Sequence, residues 1–110
     1  MALTHLQAGE VADVGPLGDG LPTAKTGALF KTSHVEVIRL VLPQGKTIPE
    51  HKAPGELIVQ CLEGRVEFTT MGESRELLPG GLLYLAESEP HALHALENSS
   101  VLVTIVFTKS

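Results

Sequence analysis

The side chains that could do chemistry in this chain are few: five histidines, one cysteine and a scatter of carboxylates. Imidazole changes charge near neutral pH, so it can act as acid, base or metal ligand according to its partners. A histidine working as a base wants a carboxylate to tune and orient it. Glu50 and Glu56 lie near His51 in sequence and are the carboxylates available for that role. His91 and His94 stand three residues apart. On a regular strand such residues face opposite ways, so joint action needs a bend. Cys61 shares strand parity with Leu57 and Val59, which turns it toward the same interior. Its plainer reading is a small buried hydrophobe. His5 falls near the start of the chain, and His34 at the head of a strand, where exposure is expected. Tyr84 lies in an apolar run and reads as packing. Glu73, Glu76, Glu87 and Glu89 read as solvated loop charge. Asn98-Ser99-Ser100 matches the glycosylation sequon, a match that has meaning only in an exported chain.

The elements that must position these groups are short. Eleven glycines and seven prolines interrupt 110 residues. No stretch of about 12 residues both avoids them and repeats apolar residues at helical spacing, so the chain reads as strands joined by turns. Strands are expected at Gly27–Thr32, Val35–Leu42, a segment from Lys46 toward His51, Glu56–Glu63, Arg65–Thr70, Ser74–Leu78, Leu82–Ala86, Ala92–Leu96 and Val101–Thr108. Arg65–Thr70 alternates cleanly, with Val66 and Phe68 on one face, as a half-buried antiparallel strand does. About nine strands near ten-residue spacing predict an all-β sandwich or barrel. Residues 1–24 read as an arm crossing the surface, with a short strand possible at Glu10–Val14 and no regular structure through Gly15–Pro22. Residues 25–110 form the β domain. The strands around Leu57–Leu62 and Val101–Phe107 are apolar on both faces, so their outer face must be covered by the arm or by a second subunit. The reading favours a homodimer, because an arm this polar offers little apolar area.

Composition excludes several functions. The length suits one domain. Thirteen acids against eight bases give a net charge of −5, with no basic cluster for nucleic acid or anionic membrane. No apolar run is long enough for a membrane helix. One cysteine allows no internal disulfide. The Met1–His5 segment lacks the basic start and apolar stretch of a signal peptide, so a cytoplasmic location is expected.

The segment from Gly45 to Gly64 resembles the first motif of the cupin superfamily, G-x5-H-x-H-x3-E-x6-G: Gly45, His51 and Gly64 fall on its positions. The second motif, G-x5-P-x-G-x2-H-x3-N, is matched by Gly80 and His91, while Ala86, Ser88 and Ala95 replace its other residues. The resemblance spans roughly Val35 to Phe107 and implies a small single-domain bacterial cupin, a jelly-roll β-barrel. Many cupins hold a divalent transition metal with three histidines and a glutamate, a donor set that suits Fe, Mn, Ni, Cu or Zn. By that correspondence His51 and His91 survive as ligands. Ala53 stands at the second histidine position and Leu57 at the glutamate position. Glu56 is one residue off and can substitute only if the Pro54-Gly55 turn shifts the register. Glu56, His94, Cys61 or water would have to complete any metal site.

These observations predict a mostly apolar pocket lined by His51, Leu57, Val59, Cys61, Phe68 and His91, with a filled core as the opposing reading. Its ligand is expected to be small and partly apolar, with an anionic or carbonyl group meeting the imidazoles. Three functions follow. The first is a small-molecule-binding cupin without catalysis, a dimeric sensor or accessory module. The second is a metal-dependent oxygenase, isomerase or lyase with an incomplete ligand set. The third is a metal-free acid–base catalyst with His51 or His91 as base. No substrate can be read from the residues.

Overall fold

The computed structural model of the chain describes residues 5–107. Met1–Thr4, which carry most of the segment read for an export signal, and Thr108, expected to close the last strand, lie outside the described residues.

Among the described residues there are nine strands, most of them dominated by β-branched and aliphatic residues, and glycine or proline stands at most of the turns between them. They are β1 (Gly27–Lys31), β2 (Val35–Leu42), β3 (Thr47–His51), β4 (Gly55–Glu63), β5 (Val66–Thr70), β6 (Glu73–Leu77), β7 (Leu82–Leu85), β8 (His91–Ala95) and β9 (Ser99–Phe107). The strands pair antiparallel in two sheets, ordered β1-β2-β9-β4-β7 and β3-β8-β5-β6. The two sheets form an all-β jelly-roll barrel: the strand spacing predicts the sandwich or barrel, and the motif resemblance implies the jelly roll. Strand ends differ from expectation by a residue or two, because terminal pairing depends on the partner strand and not on local sequence.

Between the sheets lies one core. Along β4 the burial pattern alternates with period two, placing Leu57, Val59 and Cys61 inside. β5 does the same with Val66 and Phe68, both fully buried. Leu85, Leu93, Ala95, Val101 and Val103 close the cluster. Each fully buried Leu, Val or Phe contributes about 1.5–3 kcal/mol by leaving water.

Two turns show why the sequence folds this way. β5 and β6 are joined by Met71 and Gly72, both at positive φ (53° and 77°), the conformation a two-residue hairpin needs to match strand twist. Gly64, at φ 85°, joins β4 to β5, and a Cβ there would run into the backbone of Asn98 and Ser99. The buried Ser99 hydroxyl accepts the Arg65 N–H at 2.9 Å and donates to Glu97 O at 2.8 Å, so this buried hydroxyl is satisfied both as acceptor and as donor.

The N-terminal segment crosses the first sheet. Leu6 N–H donates to Leu29 O at 2.8 Å. Buried Arg39 donates to Gly15 O at 2.9 Å. The Glu63 carboxylate accepts the N–H groups of Leu17 and Gly18 at 3.0 and 3.1 Å, and the Ser100 hydroxyl at 2.6 Å. Burial alone would raise the pKa of Glu63, but those donors and the charge of Arg39 outweigh it and hold the carboxyl below its usual range.

Two expectations about this segment are corrected. Glu10–Val14 is not a strand; the chain instead turns at Gln7–Glu10, where Glu10 N–H donates to Gln7 O. Gly18–Thr23, expected to be irregular, forms a short 3-10 helix in which Gly20 N–H reaches Leu17 O and Ala24 N–H reaches Leu21 O. Pro22 is tolerated because its fixed φ fits so tight a turn. The segment leaves part of the sheet's outer face open: Leu82, Tyr84 and Val106 remain exposed. Among the described residues no helix is long and apolar enough to cross a membrane.

Candidate functional site

A cavity of about 210 Å³ opens at one end of the barrel. The first sheet lines it with Leu40, Leu57, Val59 and Val103, the second with Ile48, Phe68 and Leu93, and Lys52, Ala53 and Pro54 lie along the loop beside it. Its polar side chains are His51, His91 and Lys52.

The two imidazoles converge because of one irregularity in β3. Thr47 pairs with His94 and Ile48 with Leu93, yet His51 pairs with His91. Three steps along β3 therefore match two along β8. Ile48 lines the cavity, so strict alternation would turn His51 outward. The extra residue in the Pro49–Glu50 stretch reverses the parity and brings His51 in. Proline suits such a bulge because it has no N–H to give to the ladder. The rings lie 4.3 Å apart between centroids, tilted by 58°. His91 is nearly sealed, at 3% exposure, and stacks on Phe68 at 5.6 Å with 6° between planes. His51 sits at the exposed mouth.

Both rings are held in the same way. His51 Nδ1 lies 3.0 Å from Pro49 O, and His91 Nδ1 lies 3.0 Å from Glu89 O. A carbonyl oxygen only accepts, so Nδ1 carries the proton in each neutral ring. Burial pushes the His91 pKa down, and the neighbouring His51 adds to this against a partial offset from the Glu89 carbonyl. His91 is therefore held toward its neutral form.

The other sequence candidates lie elsewhere. Cys61 is corrected: it is buried and free, but belongs to the packed core and not to the cavity lining. Its Sγ lies 3.5 Å from Glu63 O, and burial pushes the thiol pKa up. Parity gave its face correctly, but it lies too far along β4 from the open end. Glu56 is on the outer face of β4, where its carboxylate accepts the Tyr84 hydroxyl at 2.8 Å. Tyr84 is thus an exposed hydrogen-bonding side chain and not packing; the bond to Glu56 raises its pKa. His94 faces outward against Thr47 Oγ1 at 3.1 Å, with no bend to bring it to His91. Val66 shares the inward face with Phe68, as the alternation predicts, but lies in the sealed core and not in the cavity lining. Sequence reasoning did not assign Leu40, Ile48, Leu93 or Val103 to the lining. The two-faced apolar pattern of β9 was the available signal for Val103.

A resident divalent metal of the three-histidine, one-glutamate kind does not fit these residues. Among the described residues two imidazoles face the cavity, with no carboxylate in its lining. Ala53 and Leu57 line it where further donors would stand. Among the described residues no group of three or more His, Cys, Asp or Glu is placed to hold a metal ion.

Comparison with known proteins agrees with the architecture. Residues 38–107 match the cupin domain family, and the chain belongs to that family. A conserved protein of unknown function from Streptococcus pyogenes is similar over 100% of both chains, with 23% identity and a TM-score of 0.76. A cupin superfamily protein from Desulfitobacterium hafniense DCB-2 is similar over 98% of this chain and 100% of its own, with 17% identity and a TM-score of 0.78. KdgF from Halomonas sp. is similar over 76% of this chain and 80% of its own, with 21% identity and a TM-score of 0.71. Likeness at these identities concerns the fold. No curated protein matches the chain.

Proposed function

We propose that this cupin is a binding module that takes a small, mostly apolar molecule into the cavity beside His51 and His91, without a catalytic reaction of its own. One observation carries the reading: two imidazoles converge on a largely apolar cavity whose lining, among the described residues, holds no carboxylate. The metal-dependent reading lacks its third and fourth donors. The acid–base reading lacks its carboxylate, because both rings are oriented by backbone carbonyls. A cavity this size favours a compact ligand; an apolar cavity of about 150 Å³ is known to accept benzene. The test is a titration of the full chain with single-ring aromatic and alicyclic compounds, followed by NMR. Saturable shifts confined to cavity residues such as Leu57, Val59 and Phe68 are expected. Their absence across such a panel overturns the reading.

We also propose a homodimer built on the outer face of the first sheet, supported by exposed Leu82, Tyr84 and Val106 beside half-buried Ile58 and Leu102. Light scattering at micromolar concentration should give twice the chain mass, and a monomer there contradicts it. The free, buried cysteine suits a reducing compartment, and the cytoplasm is the location we propose. Residues 25–110 are taken as the binding domain and residues 1–24 as its strap.

A further inference from the structure

The class of ligand follows from which atoms the imidazoles leave free. This inference rests on the binding reading above. Each ring gives its Nδ1–H to a backbone carbonyl two residues earlier, Pro49 for His51 and Glu89 for His91. A neutral imidazole has one proton, so each remaining Nε2 holds a lone pair and can only accept. Among the described residues, neither Nε2 has a hydrogen-bond partner. The rest of the lining is almost wholly aliphatic or aromatic. We propose that the cavity selects a compact, mostly apolar molecule that presents a hydroxyl or N–H donor to these two acceptors, and rejects molecules of the same shape whose polar group only accepts.

This reverses the expectation of an anionic or carbonyl ligand. A carbonyl or carboxylate oxygen set against an Nε2 lone pair brings acceptor against acceptor, with the added cost of stripping water from the charge. Lys52 could meet an anion, but it is exposed at the mouth, where solvent screens the pair. A donor group meets neither penalty. It satisfies a nitrogen that a purely apolar ligand would bury unpaired.

Phenol, anisole and benzoate make the comparison with one ring and three polar ends. Phenol donates, anisole only accepts, and benzoate is charged. With the full chain in isothermal titration and NMR, phenol should bind about tenfold more tightly than anisole, the range of one net hydrogen bond, and benzoate more weakly still. His91→Phe, which leaves His51 as the single acceptor, should narrow the gap between phenol and anisole. If that variant does not fold, ¹⁵N imidazole spectra of the unsubstituted protein decide the same point, with both neutral rings expected to carry the proton on Nδ1. Equal binding of phenol and anisole, tighter binding of benzoate, or a proton on Nε2 of either ring overturns the donor selectivity while leaving a binding cavity in place. If none of the three binds saturably and no other single-ring compound does, the binding reading itself fails.

Discussion

Restoring the two donors that the family pattern would place here is the sharpest test of the cavity geometry. Ala53 and Leu57 both line the cavity with His51 and His91, so Ala53→His with Leu57→Glu should assemble three imidazoles and a carboxylate around one point. Without metal the change is costly. Leu57 is 4% exposed, and losing its burial removes about 2–3 kcal/mol. The new carboxyl enters an apolar wall and stays protonated instead of burying a charge, bringing the total to about 3–5 kcal/mol. In a domain near this size each kcal/mol moves Tm by roughly 4–8 °C, so the apo double variant should melt about 12–40 °C lower. Metal should return most of that, since a ligand at 1,000 times its Kd adds about 4.1 kcal/mol to the native state. Thermal unfolding with Zn²⁺ or Ni²⁺, and again with chelator, reads both effects. The unsubstituted chain should show little metal-dependent gain. Ile58→Glu alone, which puts a carboxylate on the outer face and adds no third imidazole, should show no metal-dependent gain. If metal fails to stabilise the first variant, or stabilises both equally, then positions 53 and 57 do not face the two histidines and the site geometry argued above is wrong.

Other substitutions separate local strain, titration and strap anchoring. Gly64→Ala should cost about 2–4 kcal/mol in urea unfolding, because its φ is 85° and a Cβ meets Asn98 and Ser99, whereas Gly80→Ala, at φ 91° in open space, should cost about 1 kcal/mol. Similar costs would mean that backbone conformation alone, not crowding, fixes Gly64. Stability should fall on acidification as pH drops through about 6.5, the ordinary imidazole value, because the unfolded chain binds a proton that buried His91, with its depressed pKa and His51 beside it, resists. The loss should level off below the folded value, and His91→Phe should remove this part of the pH profile; an unchanged profile would show that other groups cause it. Glu63→Gln should cost about 1–2 kcal/mol and speed amide exchange at Leu17 and Gly18, since a charge-assisted acceptor becomes a neutral one. The lowered Glu63 pKa adds stability above the ordinary carboxylate range, lost as pH falls through the folded value, so the variant should match the parent at strongly acidic pH. Exchange rates at those two amides unchanged near neutral pH would show that Glu63 does not anchor the strap.

How far the residues disclosed this site depends on which physical signal each feature left. Period-two burial in Val66–Phe68 and Leu57–Val59–Cys61 is a local pattern, so strands and inward faces were readable. Depth along a strand is not local: Cys61 and Val59 share a face, yet one is sealed in the core and the other borders the cavity. Side-chain direction near His51 was also hidden. It depends on an added residue at Pro49–Glu50, which shows only once β3 is paired with β8. Such a bulge leaves a proline as its hint and little else. The same register lets the pocket form without polar donors at positions 53 and 57. Ala53 and Leu57 occupy cavity-facing positions, so replacing polar ligands there with apolar side chains leaves the backbone frame and adds apolar wall. What remains is a pair of imidazoles whose protons are committed to the backbone, and whose lone pairs are the main recognition feature of an otherwise greasy cavity.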